Sequence, residues 1–241
     1  MKPDTSRTGS SNTVLEITDL SAGYGQVNAL RGISLSISDG EILAVIGANG
    51  AGKTTLLKTI AGQLPAKSGR IMFDGADVTR LPTFERARQG IILVPEGRRL
   101  FKSLTVEENL QVGLSAKRPG PWSLASVYEL FPLVADRRHR RAGDMSGGEQ
   151  QATAIARALV ANPKVLLLDE VSLGLAPAII ADLYASLPTI LAHGTSILLV
   201  EQDVAQALKV ADEVHCLLQG STSLTGAGFE MPEISRAYFG S

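Results

Sequence analysis

The chain has 241 residues, of which 44% are hydrophobic and 20% charged, and its formal net charge is −1. That length supports one large domain or two small lobes, and the balanced charge argues against nucleic acid as a partner. A lone cysteine, Cys216, excludes an internal disulfide framework and suits a reducing compartment.

Met1 to Thr13 is polar, with Ser, Thr, Gly and Pro, and has no apolar run. It is expected to be a flexible tail, 1–13, and not a signal peptide. Val14 to Asp19 fits a first strand, and Ser21-Ala22-Gly23-Tyr24-Gly25 a turn presenting an aromatic ring. Ile33, Leu35 and Ile37 alternate with Ser34 and Ser36, which predicts a half-exposed strand. After the Asp39-Gly40 turn comes an apolar strand, Ile42 to Ile46. Gly47-Ala48-Asn49-Gly50-Ala51-Gly52-Lys53-Thr54 then fits G-x-x-x-x-G-K-[ST], the phosphate-cradling loop. Leu56, Leu57, Ile60 and Ala61 place a helix behind it, so strand, glycine loop and helix stand in the required order.

In such a loop the glycines let backbone N–H groups converge on phosphate oxygens, and the helix N-terminus adds positive potential. Lys53 is expected to reach the β- and γ-phosphates, and the Thr54 hydroxyl to ligate Mg²⁺. Gly47, Asn49, Gly50, Ala51, Gly52, Lys53, Thr54 and Thr55 are the expected phosphate contacts.

Arg70 to Phe73 fits a short strand returning to an antiparallel layer, and Ile91 to Val94 a buried strand stopped by Pro95. From Val106 to about Arg141 the pattern is helical but irregular, with a break at Pro119-Gly120-Pro121, which suggests an inserted helical lobe. The basic run Arg137 to Arg141 lacks interleaved aromatics and is expected to be a solvated or partner-facing helix end. Gly147 to Ala161 has helical periodicity and ends at Pro163. Val165 to Leu168 is a buried strand running into Asp169-Glu170.

A helix from about Ala178 to Leu191 follows, expected to bend at Pro188. The window Leu173 to Leu191 carries Asp182 and two prolines, and its spacing suits core packing rather than a membrane span. Ile197 to Val200 is a further strand, ending in Glu201-Gln202, and Asp203 is a fitting N-cap for the next helix. Val214 to Leu218, with Cys216 inside it, is a last core strand, followed by a hairpin and a terminal helix ending near Phe239. Strands alternating with helices predict an open α/β sheet.

A phosphate loop alone does not separate kinases, GTPases, motors and transport ATPases. Asp169 and Glu170 end an apolar strand, on the sheet edge where the phosphate loop lies. Asp169 is placed to hold Mg²⁺, and Glu170 to orient or deprotonate the attacking water.

Met145-Ser146-Gly147-Gly148-Glu149-Gln150-Gln151 resembles the LSGGQ signature of the ABC ATPase family, with Met for Leu and Glu for the usual Gln. The resemblance covers about Val14 to Phe239. It implies a P-loop NTPase of ABC type with a mainly parallel core sheet, an N-terminal antiparallel β layer and an inserted α-helical lobe. The core and β layer would occupy 14–95 and 163–241, and the lobe about 96–162. It implies an ATPase using ATP and Mg²⁺. It also implies that Ser146, Gly147 and Gly148 cover the γ-phosphate of a second ATPase subunit.

Tyr24 matches the aromatic that stacks on adenine, and Leu173-Gly174-Leu175 the loop that meets the opposite subunit. Two positions depart from the common pattern: Glu96 stands for a Gln that touches Mg²⁺, and Gln202 for a His that touches the γ-phosphate. Val171 stands where Pro is usual, which would loosen the turn after Glu170 slightly. Glu96 within Pro95-Glu96-Gly97-Arg98-Arg99, Gln202, Thr105 to Leu110 and Ser172 to Pro177 are together similar to the ATPase subunits of branched-chain amino-acid importers.

That resemblance implies a peripheral subunit on the cytoplasmic face of the inner or plasma membrane. Its partners would be two transmembrane permease subunits, an external solute-binding protein and a second ATPase, a heterodimer being favoured over a homodimer. The substrate class implied is branched-chain or other hydrophobic amino acids, with urea and short amides left open. A soluble ABC ATPase acting on DNA ends would need a coiled coil that is missing here, and a translation-type one usually fuses two ATPase domains. A P-loop kinase should lack the Ser146-Gly147-Gly148 signature.

Overall fold

The computed structural model describes residues 12–239. In chain order it contains β1 (Thr13–Tyr24), β2 (Val27–Ser38), β3 (Ile42–Ile46), α1 (Lys53–Ile60), β4 (Ala66–Phe73), β5 (Ala76–Asp77), α2 (Thr83–Gln89) and β6 (Ile91–Val94). Helices α3 (Val106–Gly113), α4 (Leu124–Leu130), α5 (Pro132–Asp136) and α6 (Gly147–Leu159) follow. The chain then alternates through β7 (Val165–Asp169), α7 (Pro177–Ala192), β8 (Ser196–Glu201), α8 (Val204–Val210), β9 (Glu213–Leu218), β10 (Ser221–Gly226) and α9 (Met231–Phe239).

Two sheets result. The first has the order β2-β1-β4-β5, and its mapped pairs are antiparallel. The second has the order β10-β9-β3-β8-β7-β6, parallel except for β10 at one edge. Every residue of β3, β7 and β8 is buried, as continuous apolar strands covered on both faces should be. One face (Leu43, Val45, Leu167, Leu198, Val200) packs with α1 and the antiparallel sheet. The other (Ile42, Leu166, Leu168, Ile197, Leu199) packs with α6, α7 and the helices that follow β6. Those helices share the sheet's core; Trp122 and Val127 belong to the same cluster.

Several expectations need correction. The first strand does not end at Asp19. Register shifts near Asp19 and Ser21 carry β1 on to Tyr24, so residues 21–24 are strand, not turn. Of the expected tail, residues 1–11 lie outside the described residues, while Asn12 accepts a bond from the Asp39 amide and Thr13 opens β1. The expected helix is present as α7, with Pro188 inside it. The Pro119–Pro121 break is pinned by the buried Asn162, whose Oδ1 accepts from the Trp122 amide at 2.7 Å and whose Nδ2 donates to Trp122 O at 3.0 Å. Buried Cys216 lies in β9 as expected. Among the described residues no helix is long and apolar enough to cross a membrane.

Candidate functional site

The order of the parallel sheet decides what meets. β3 ends in the phosphate loop, β7 in Asp169, β8 in Glu201, and β8 lies between the other two. The C-terminal ends of all three strands therefore open on one edge of the sheet, where ligands of such sheets bind.

The loop from Gly47 to Gly52 wraps the Lys53 side chain, which is 3% exposed. Lys53 Nζ donates to Gly47 O at 2.8 Å and Ala48 O at 3.2 Å, and lies 3.4 Å from Glu170 Oε1. Two glycines are sterically required. Gly47 has φ 155, and a Cβ there would stand 2.4 Å from Leu217 O; Gly52 has φ 108, and a Cβ would stand 2.7 Å from Ala29 O. The backbone is held open for a ligand that approaches main-chain N–H groups, which fits a polyphosphate. Asn49, Gly50, Gly52, Lys53, Thr54, Thr55, Glu96, Glu170 and Gln202 line one cleft of about 490 Å³. Gly47 and Ala51 support it from behind, both buried.

Thr54 Oγ1 donates to Asp169 Oδ1 at 3.1 Å. Asp169 is 2% exposed, and its carboxyl is pushed up to about 6, chiefly by burial, with the Glu170 and Glu96 charges adding and the Thr54 bond opposing. A buried carboxylate beside a hydroxyl and two further carboxylates suits a hard cation. Among the described residues no group of three or more His, Cys, Asp or Glu could hold a metal by itself. Mg²⁺ needs no such cage: it is commonly held by one or two carboxylates and completes its shell with waters and phosphates.

Glu170 adopts φ 48, unusual for a residue with a Cβ. Its amide donates to Val200 O at 2.9 Å, and its Oε2 accepts from Gln202 Nε2 at 2.5 Å. The glutamate is thus gripped between Lys53 and Gln202. Val171, where Pro is usual, is 1% exposed and packs in the helical-side core.

Behind this lies a network that the sequence reading missed. Glu201, 1% exposed, accepts from the Ser172 hydroxyl at 2.7 Å, the Ser172 amide at 3.2 Å and Tyr184 Oη at 2.9 Å. Burial pushes the Glu201 carboxyl up. These bonds fix the turn after Glu170 to the end of β8. Glu201 adjoined Gln202 in the sequence, but nothing in the local pattern marked Ser172 and Tyr184 as its partners.

The signature segment stands apart from the cleft. Ser146 is exposed and caps α6; its amide donates to Glu149 Oε2 at 2.7 Å, and Glu149 N returns a bond to its hydroxyl at 3.3 Å. Either Glu or the usual Gln could close this capping box, so the box does not by itself explain the departure at 149. Glu149 also takes a 2.8 Å bond from Arg137 Nε, and this, with the Ser146 amide, lowers its carboxyl to about 2. Arg137 is thereby taken out of the basic run; Arg138 to Arg141 stay exposed. Gly147 lies beside Arg98 and Gly148 against Ile179. Tyr24 is 52% exposed and outside the residues lining the cleft, although Ala29, on the following strand, does line it.

A second omission from the sequence reading is Arg157, a half-buried cation on α6. It donates to Arg99 O at 3.0 Å and Arg98 O at 3.2 Å. It ties the segment after Glu96, where Arg98 and Arg99 both have positive φ, to the signature helix.

A protein-family model described as ABC transporter matches residues 30–172. The chain belongs to the ABC transporter family. It is 44% identical over 232 residues to a high-affinity branched-chain amino acid transport ATP-binding protein, BraG, of Pseudomonas aeruginosa, covering 94% of this chain and 100% of that one. BraF of the same organism, with the same description, is 29% identical over 252 residues, covering 95% and 99%. A solved ATP-binding cassette of an ABC transporter, in its ADP conformation, superposes with a TM-score of 0.81 at 27% identity, covering 95% of this chain and 99% of that one. As an ABC ATPase, the protein uses ATP and Mg²⁺ and hydrolyses ATP to ADP and phosphate.

Proposed function

We propose that this chain is the ATP-hydrolysing subunit of an importer for branched-chain or other hydrophobic amino acids. It would work on the cytoplasmic face of the membrane, with two permease subunits, an external solute-binding protein and a second ATPase. The observation that carries the reading is the joint presence of Glu96 and Gln202 in the cleft of a chain so similar, end to end, to a branched-chain amino acid transport ATP-binding protein. That one organism has both BraG and BraF supports a heterodimer.

Within the site, the phosphate loop holds the β- and γ-phosphates through backbone N–H groups and Lys53, and Tyr24 stacks on the adenine. Thr54, Asp169 and Glu96 are the residues that would hold Mg²⁺. When bound, the ion neutralises charge on the phosphate oxygens. Glu170 takes the proton of the attacking water through a carboxylate oxygen. Gln202 holds that carboxylate in place and, as a neutral amide, can donate to the γ-phosphate without titrating near neutral pH. Ser146 and Gly147 offer a helix N-terminus to the nucleotide of the second ATPase. Gly148 lets α6 lie close to α7.

Affinity purification from gently solubilised membranes of the native host, with ATP present, tests the assembly. Multi-span membrane proteins and a second, different ABC ATPase should co-purify. Recovery with ribosomes or DNA-repair proteins, and no membrane protein, would overturn the transport reading.

A further inference from the structure

Glu201 is buried and does not line the nucleotide cleft, so it is not a group that touches the nucleotide. The residues on either side of it do reach Glu170. Val200 O accepts from the Glu170 amide at 2.9 Å, and Gln202 Nε2 donates to Glu170 Oε2 at 2.5 Å. Glu201 itself grips the chain two residues beyond Glu170. Its Oε1 accepts from the Ser172 amide at 3.2 Å and its Oε2 from the Ser172 hydroxyl at 2.7 Å. Tyr184 Oη, on α7, donates to the same Oε1 at 2.9 Å. Three successive residues at the end of β8 thus clamp the turn from Glu170 to Ser172.

Glu170 stands at φ 48, a conformation that a residue with a Cβ keeps only where its surroundings enforce it. Leu173, next along from Ser172, lines the nucleotide cleft, as Glu170 does, so slack in this turn would reach the cleft at two points. Burying a carboxylate is costly, and packed apolar residues in place of a buried charged group are often as stable. Stability alone therefore does not call for a carboxylate at 201. What an apolar side chain cannot supply is direction: two of the three bonds end on Ser172, and the third braces Glu201 from α7.

We propose that Glu201 is a positioning residue for ATP hydrolysis. Through Ser172 it holds Glu170 in the left-handed conformation that keeps its carboxylate between Lys53 and Gln202. Tyr184 fixes the orientation of the Glu201 carboxylate and belongs to the same device. The inference rests on the reading above of Glu170 as the group that takes the proton of the attacking water.

Single-turnover hydrolysis of Mg²⁺-ATP by the full chain, with ATP affinity measured beside it, tests the role. Glu201→Leu should slow hydrolysis ~10–100-fold, the scale of a misplaced reacting group, and leave ATP affinity as in wild type. Glu201→Gln should restore most of that loss. Its amide oxygen can keep the Ser172 amide and Tyr184 bonds, while its NH₂ donates to the Ser172 hydroxyl, which accepts as well as donates. In a Glu170→Gln chain, adding Glu201→Leu should cause no further loss, because no base is left to place.

A wild-type rate in Glu201→Leu would overturn the proposal. So would an equal loss of rate in the wild-type and Glu170→Gln backgrounds, which would show that Glu201 acts independently of Glu170. A fall in ATP affinity matching the fall in rate would reduce its role to general support of the fold, and a Glu201→Gln chain as slow as Glu201→Leu would place the effect in the charge. If Glu201→Leu misfolds, Tyr184→Phe, which removes one bond and keeps the ring, decides by the same pair of backgrounds, with a smaller loss expected. Failure of the underlying reading is distinct: Glu170→Gln alone would then turn over at the wild-type rate.

Discussion

Glu170→Gln is nearly isosteric and leaves Lys53 its carbonyl acceptors at 2.8 and 3.2 Å. The new amide can still accept from Gln202, so the φ 48 turn and its Val200 bond should persist. The negative charge 3.4 Å from the buried Lys53 is lost, and with it the group that takes a proton from water. A positioned base contributes ~10²–10⁴-fold, equivalent to about 3–5 kcal/mol in the barrier at 1.36 kcal/mol per decade. ATP binding should be kept or strengthened, because one carboxylate fewer faces the phosphates. Single-turnover hydrolysis with Mg²⁺-ATP, run beside a filter-binding titration, separates the two effects. Wild-type turnover in the variant would refute the assignment of Glu170 as base. Loss of binding together with turnover would show that Glu170 acts by shaping the loop.

Gln202→His should keep activity but acquire an acid limb near pH ~6.5, which the wild-type pH–rate profile should lack. A wild-type limb in that range that persists in a Gln202→Ala variant would place the titrating group elsewhere. Gly52→Ala sets a Cβ 2.7 Å from Ala29 O at φ 108, so nucleotide affinity should fall at least tenfold, and the left-handed conformation alone should cost about 1–2 kcal/mol in denaturant unfolding. His215 is fully buried, and burial pushes its pKa down to about 4. A depressed folded value means that the unfolded chain takes the proton first. Stability should therefore be fully present above pH ~6.5 and lost progressively as pH falls toward 4. His215→Gln should flatten that part of the pH–stability curve, and an unchanged slope would contradict it.

The nucleotide cleft was legible because its parts are local: a glycine loop between strand and helix, and two carboxylates at a strand end. Burial also announced itself, since β3, β7 and β8 are uninterrupted apolar runs. What escaped depends on pairing across the chain. Tyr24 was read in a turn because Gly23 and Gly25 flank it, whereas register shifts against β2 absorb the irregularity and keep it in β1. Arg86 had no visible role in the sequence. It is 2% exposed and donates to the carbonyls of Thr59 and Ile60 at the end of α1, and of Thr79 and Leu81. Arg157 is the same kind of case, a cation whose partners are backbone oxygens and leave no mark in residue identity.

Uptake of labelled L-leucine by native-host cells whose only copy of this protein carries Glu170→Gln bears most directly on the central claim. Uptake through this system should fall by the ~10²-fold or more lost in hydrolysis, while the variant still co-purifies with the membrane subunits. Unchanged uptake of L-leucine and its branched relatives, in cells whose purified variant has lost ATP hydrolysis, would contradict the account.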